Sequence, residues 1–295
     1  MRSSQSFWQM LKNPKATGRA LLRASAARRL VVNLRHRGLA EQDVFLASYP
    51  KSGNTWLRHL VTYLVTREET DWQDRLLTLT HRVGKHPSLP KLTPGGGRLI
   101  KTHELYRPEY RQAIVLLRDG RDVAVSEYHW VRDYVGRAAK DLTFEEFLEA
   151  FLEGGTNAFG LWHKHATSWV DGPAEHGADV HVVRYEDLKR DTAGQLRQIA
   201  GYLKLEADDE LIDAALANGS IEAMRAKEQA YWTARGEPNK TFVRKAKAGG
   251  WRDAFTLELH DRFLQVAGDA LQKCGYATEL TPPEEALAAS GGAAG

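Results

Sequence analysis

The segment Ser48-Tyr49-Pro50-Lys51-Ser52-Gly53-Asn54-Thr55-Trp56 sets a glycine, small hydroxyl residues and one lysine between two patterned stretches. Before it runs a short β-prone stretch, Val44 to Tyr49. After it Trp56, Leu57, Leu60, Val61 and Leu64 recur at helical spacing. Backbone amides at such a turn, backed by the positive end of the helix, face outward and suit a phosphate-like anion, with Lys51 adding a point charge. The bland alternative is an ordinary Pro-Gly turn joining strand and helix. The triphosphate loop of kinases and ATPases wants a glycine, four residues, then Gly-Lys followed by Ser or Thr. Here Lys51 comes before Gly53, which argues against that class.

Two further segments carry chemistry of the same kind. Ile114 to Leu117 is an apolar run ending at Arg118, whose planar guanidinium fork matches a dianion, and Ser126 lies about two helical turns further on. By spacing alone Arg118 serves equally well as an ion-pair partner of Asp119 or Asp122. Lys101-Thr102-His103 closes another short apolar run. A lone histidine is usually a surface or satisfied core residue, and the chain has 11. His103 differs from the other ten in standing at a strand end beside both anion-binding segments. His163 and His165, two apart on a helical pattern, point to different faces and do not share a metal.

These segments need a scaffold that brings strand ends together. Short apolar runs at Arg98–His103, Ala113–Arg118 and Val180–Tyr185 join the one at Val44–Tyr49, separated by helical patterns at Val123–Val135, Phe144–Phe151, Phe159–Val170 and Ala193–Leu203. That alternation predicts an α/β fold with a central, mainly parallel sheet flanked by helices, whose ligands bind beyond the carboxyl ends of the strands. A chain of 295 residues fits one such domain. Hydrophobic residues make up 42% and charged residues 27%, which excludes disordered, collagenous and coiled-coil classes. A net charge of +3 gives no case for nucleic acid. The single cysteine, Cys274, rules out an internal disulfide and a cysteine zinc site. No apolar run reaches the roughly 20 residues of a spanning helix.

Tyr-Pro-Lys-Ser-Gly-Asn-Thr-Trp at residues 49–56 resembles the 5′-phosphosulfate loop of the cytosolic-type sulfotransferases, which use 3′-phosphoadenosine 5′-phosphosulfate (PAPS). Ile114 to Ser126 resembles the strand and helix by which that family holds the 3′-phosphate. Lys101-Thr102-His103 matches the place of its catalytic base. Phe242-Val243-Arg244-Lys245 followed by Gly249-Gly250-Trp251-Arg252 is similar to its late phosphate loop, with Ala246 where the family has glycine. Tyr185-Glu186-Asp187-Leu188 and Ser220-Ile221-Glu222-Ala223-Met224 resemble its adenosine contacts. The matches span residues 44 to 256, and the resemblance implies a P-loop-like sulfotransferase fold.

It also implies roles. His103 would take the acceptor's proton, Lys51 would neutralise the leaving oxygen, and Lys101 would stabilise the moving sulfuryl group. Ser52, Gly53, Asn54 and Thr55 would hold the 5′-phosphate. Trp56, Tyr185 and Ser220 would contact adenosine, and Arg118, Ser126, Arg244, Lys245 and Ala246 the 3′-phosphate. No metal is implied. The rival readings are a phosphate-loop kinase and a non-catalytic PAPS-binding protein. The acceptor, a small molecule or glycan, would lie among the loops 84–97, 128–140 and 227–242, with Tyr128, Trp130, Tyr134, Phe159, Tyr231 and Trp232 as candidate lining. Arg252, Thr256, Leu257 and Asp261 keep the spacing of the family's dimer motif; an ordinary helix start capped by Thr256 is the alternative.

The expected organisation is a basic helical extension at 1–40, the sulfotransferase domain at 41–277 and a flexible tail at 278–295. Nine Lys or Arg and no acid lie from Arg2 to Arg37. This admits a peripheral membrane contact through residues 1–38, a solvated basic face, or an organellar transit segment. A cytoplasmic location is the expectation.

Overall fold

The computed structural model describes residues 26–135, 141–243 and 247–280. In chain order the elements are helix α1 (Ala26–Arg35), strand β1 (Val44–Ser48), α2 (Asn54–Thr66), α3 (Asp74–Leu79), β2 (Thr80–Arg82), β3 (Leu99–Thr102), β4 (Gln112–Leu117), α4 (Gly120–Val135), α5 (Phe144–Leu152) and α6 (Trp162–Glu175). They continue with β5 (Asp179–Arg184), α7 (Tyr185–Arg190), α8 (Thr192–Tyr202), α9 (Asp209–Asn218), α10 (Ile221–Thr233) and α11 (Leu257–Lys273). The five strands form one sheet in the order β2-β3-β1-β4-β5, every pairing parallel.

Strand parity sorts the core into two layers. Val44, Leu46, Leu99, Ile114 and Leu116 face one side, against Leu57, Leu60 and Val61 of α2, Leu196 and Ile199 of α8, and Ile212 of α9. Phe45, Ala47, Ile100, Ala113 and Val115 face the other, with Val123 of α4, Phe147 of α5, Trp169 of α6 and Phe263 of α11. Strands buried on both faces read as continuous apolar runs, as Val44–Ala47 and Ala113–Leu117 do. At their amino ends β1 and β3 are held by a buried ion pair, Arg98 Nη2 to Asp43 Oδ2 at 2.5 Å.

The order of the strands decides where a ligand goes. From β1 the chain builds β2 and β3 to one side, then β4 and β5 to the other, so the connections leaving β1 and β4 diverge and open a crevice at the carboxyl end of β1. The loop 49–53 fills its rim.

The four expected strands coincide with β1, β3, β4 and β5. Strand β2 lies outside that expectation: it is three residues long and polar, and its Thr80 is fixed by Arg58 of α2, whose Nε donates to Thr80 Oγ1 at 2.7 Å. The helix expected from Phe159 starts at Trp162, because Gly160 takes φ 80, and it runs through Pro173 to Glu175. Residues 227–233, expected as loop, continue α10, a run of good helix formers capped by the Ser220 hydroxyl. Helix α4 likewise covers 128–135. The glycine-rich stretch 94–97 belongs to a closed turn: Gly97 N–H donates to Thr93 Oγ1 at 2.9 Å and Gly96 N–H to the Thr93 carbonyl at 2.8 Å. Residues 1–25, 136–140, 244–246 and 281–295 lie outside the described residues, and with them most of the basic extension, most of the tail, and Arg244, Lys245 and Ala246.

Candidate active site

The loop after β1 turns through two left-handed residues, Lys51 at φ 68 and Gly53 at φ 98. Gly53 is the N-cap of α2 and contributes no side-chain cap, so the first backbone N–H groups of that helix face the crevice without the partner a Ser or Asp would supply. Ser52 is buried, and its Oγ meets no partner among the described residues. The Asn54 side chain turns inward, donating to the Leu46 carbonyl at 3.0 Å, which ties the loop to β1. A Cβ on Gly53 would stand 2.9 Å from Cδ2 of Tyr185. Gly53→Ala therefore meets both the left-handed penalty of roughly 1–2 kcal/mol and a blocked approach. It is expected to lower the melting temperature by several degrees, at about 2–4 °C per kcal/mol. An unchanged midpoint would show that neither constraint is felt.

Arg118, at the end of β4, bridges the two loops that flank the crevice. Its Nη1 donates to the Lys51 carbonyl at 3.0 Å and its Nη2 to the Lys247 carbonyl at 3.1 Å. The guanidinium lies 4.3 Å from the Tyr185 ring centroid, and its Nε is buried without a partner among the described residues. Of the two ion-pair partners suggested by spacing, Asp119 is occupied by Arg121 at 2.7 Å, and Asp122 stands 3.9 Å from Arg118. Asp122 accepts Gly249 N–H at 2.7 Å and Trp251 N–H at 2.8 Å, and burial pushes its carboxyl up. It thus anchors the chain that follows residues 244–246. Ser126 is half-buried on α4, two turns beyond Arg118.

Trp56 is turned by a hydrogen bond from Nε1 to the Gly219 carbonyl at 2.8 Å, and its ring meets Tyr185 edge-on at 5.8 Å. Thr55 is half-buried in the first turn of α2. The Ser220 hydroxyl accepts Ala223 N–H at 3.1 Å, so within the protein it serves as the cap of α10.

On the opposite side of β1 stand Lys101 and His103. His103 Nδ1 lies 2.6 Å from the Ser48 carbonyl. A carbonyl only accepts, so Nδ1 carries the proton and Nε2 keeps its lone pair. Burial, and secondarily the charge of Lys101, hold the imidazole well below its ordinary pKa, leaving it neutral. The Phe159 ring packs edge-on against it at 5.2 Å. Burial brings Lys101 down to about 7, with the charges of Arg58 and Arg82 adding to the effect. Below that value folding must bury a charged ammonium that the unfolded chain leaves in water; above it the folded protein holds the neutral amine, and stability rises toward the ordinary lysine pKa. Replacing Lys101 by methionine should accordingly raise the melting temperature more at pH 6 than at pH 9. A pH-independent gap would place the lysine in water.

Lys51 Nζ sits 4.0 Å from the Phe242 ring centroid and 5.7 Å from that of Trp130. The residues expected to act together thus converge: the ends of β1, β3 and β4 supply Lys51, Lys101, His103 and Arg118, and α7 begins with Tyr185. Sequence reasoning offers Asp122 only as an ion-pair partner of Arg118, and it assigns no role to Glu127, whose buried carboxylate accepts from Asn157 Nδ2 at 3.0 and 3.1 Å, or to Glu228. A carboxylate close to the apolar run Val123-Ala124-Val125, as Asp122 and Glu127 are on either side of it, is the available signal. Asn157 carries none.

Orphaned donors, an uncapped helix start and two half-buried lysines line one crevice of a doubly wound α/β protein, and these residues fit a nucleotide-linked anion. The chain belongs to the sulfotransferase family: the model of the sulfotransferase domain matches residues 41–275. It is 28% identical over 270 residues to sulfotransferase 1B1 of Canis lupus familiaris, covering 81% of this chain and 87% of that one. Among solved structures it resembles mouse sulfotransferase SULT7A1 complexed with PAP (TM-score 0.62, 24% identity, 83% of this chain and 89% of that chain). It also resembles retinol dehydratase in complex with androsterone and the inactive cofactor PAP (TM-score 0.65, 23% identity, 85% and 86%).

Proposed function

We propose that the chain moves the sulfuryl group of PAPS to a hydroxyl or amine of a small-molecule acceptor. The observation that carries the reading is the neutral, oriented His103 facing the same crevice as the uncapped start of α2. Sulfuryl transfer, like phosphoryl transfer, calls for in-line placement and charge stabilisation more than covalent help from the protein. The start of α2, with Ser52, Gly53, Asn54 and Thr55, holds the 5′-phosphate; Trp56 and Tyr185 flank adenine; Arg118 and Ser126 grip the 3′-phosphate, joined by Arg244, Lys245 and the Ala246 backbone. Lys51 neutralises the leaving oxygen, Lys101 the equatorial oxygens, and His103 Nε2 takes the acceptor proton. The bound PAPS supplies the activated sulfuryl group.

The deciding experiment is calorimetric titration with 3′-phosphoadenosine 5′-phosphate (PAP), with AMP and ATP as controls, followed by turnover of PAPS with an acceptor panel. Binding that needs the 3′-phosphate and no magnesium supports the reading. Preference for magnesium ATP would return the kinase alternative, and binding without turnover the non-catalytic one.

A homodimer through the segment 252–261 is a second proposal. Thr256 Oγ1 accepts Leu259 N–H at 3.3 Å as the cap of α11, yet Leu257 beside it is 66% exposed, a large apolar side chain left in water at the turn that keeps the family's dimer spacing. Leu257→Glu is expected to shift the sedimentation of the wild-type dimer to that of a monomer; a monomeric wild type would refute the proposal.

A further inference from the structure

Glu228 is a carboxylate in the interior: the residue is 3% exposed. It lies on α10, and its oxygens are turned toward the chain that returns past the helix. Oε1 accepts the backbone N–H of Phe242 and Oε2 that of Val243 at 2.8 Å. Oε1 also accepts from Trp232 Nε1 at 3.2 Å, one turn further along α10. Two successive amides on one carboxylate fix the direction of the backbone through residues 242 and 243, and charge-assisted bonds of this kind are about twice as strong as neutral ones.

Fixing that backbone fixes a ring. The Phe242 ring centroid lies 4.0 Å from Lys51 Nζ, and the ring meets Trp72 in an edge-to-face contact with centroids 6.0 Å apart. Trp72 is buried and stacked on His59 of α2, so the ring is backed by the helix that the anion loop initiates. Lys51 therefore meets an aromatic face whose position is set from α10. The same helix begins at Ser220, next to Gly219, whose carbonyl receives the Trp56 indole. One rigid element thus touches the chain at two places, the Trp56 side of the crevice and the Phe242 side.

We propose that Glu228 is a positioning residue for transfer: through Phe242 it holds the Lys51 ammonium in register with the nucleotide side of the crevice. The inference rests on the role given to Lys51 above. An aromatic face attracts an ammonium without neutralising it. Phe242 can therefore orient Lys51 without itself competing for its charge. Glu228 supplies the carboxylate at one remove, where it holds backbone and not the lysine.

The test is a double-mutant cycle on the full-length enzyme with Glu228→Ala, Phe242→Leu and their combination. Each is read as kcat at saturating PAPS and acceptor, as PAP affinity by calorimetry, and as melting temperature. Each single variant is expected to lose about tenfold in kcat, the scale of one buried hydrogen bond left unmade or of one desolvated cation-aromatic pair broken. The double variant should fall no further than the worse single one, within about twofold, because both changes remove the same arrangement. Losses that multiply would overturn the proposal, as would a Glu228→Ala enzyme with lowered melting temperature and normal kcat. Should Glu228→Ala fail to fold, Glu228→Gln keeps one acceptor oxygen and is expected to give a smaller loss that again vanishes in the Phe242→Leu background. Lys51→Met separates the two levels. If it leaves kcat intact, the role of Lys51 fails. If it abolishes kcat while Phe242→Leu does not change it, the role of Lys51 stands and the positioning role of Glu228 is refuted.

Discussion

His103→Ala should reduce turnover at least about a hundredfold while leaving the affinity for PAP unchanged. The split follows from where the side chain is held. Its Nδ1 is committed to the Ser48 carbonyl at 2.6 Å, so the ring is oriented by β1 and meets the reaction through Nε2 alone. No nucleotide-holding group of the loop 49–55 depends on it. Because burial keeps the imidazole neutral well below its ordinary pKa, the base is competent across the neutral range, and the acid limb of the rate profile should lie below pH 6.5, the ordinary histidine value. Near-normal turnover in the variant would remove His103 from the role, and an acid limb at or above 6.5 would overturn the lowered pKa.

Arg118→Ala should raise the Michaelis constant for PAPS by a factor of about thirty or more, the scale set by truncating one partner of a buried charged contact. The effect on adenosine 5′-phosphosulfate, which lacks the 3′-phosphate, should be much smaller. Arg118 has two functions in the structure. It fastens the Lys51 carbonyl to the Lys247 carbonyl, and it presents a buried Nε that meets no partner among the described residues. The first would disturb any ligand of the crevice; only the second discriminates the 3′-phosphate. Equal weakening of both nucleotides would leave Arg118 as a fastener between loops and no more.

Much of this site is legible in the residue order, for a physical reason. Anion binding by backbone at a strand-to-helix turn depends on local sequence, and Tyr49 to Trp56 contains all of it. The continuous apolar runs of β1 and β4 announce buried parallel strands for the same reason. What escapes such a reading is non-local. Three residues of polar sequence at Thr80–Arg82 form a strand because Arg58, two elements away, bonds to Thr80. Glu228 has its effect through Phe242 and Val243, separated from it by a helix end and a turn. At residues 227–233 family pattern favours a loop, whereas Ala226, Lys227, Glu228, Gln229 and Ala230 are good helix formers; the structure follows propensity there.

The strand order has a consequence for how the protein is made. Strand β1 pairs only with strands beginning at Leu99 and Gln112, and β4 in turn awaits β5 at Asp179. As the chain leaves the ribosome at roughly 5–20 residues per second, Val44 to Ala47 wait several seconds with both edges unpaired. That wait is imposed by the very arrangement that opens the crevice, since a β1 flanked on both sides by later strands has no partner until they arrive. A nascent chain halted shortly after α2 would present the open edges of this run to any holding chaperone, and one released after β4 would have both edges paired.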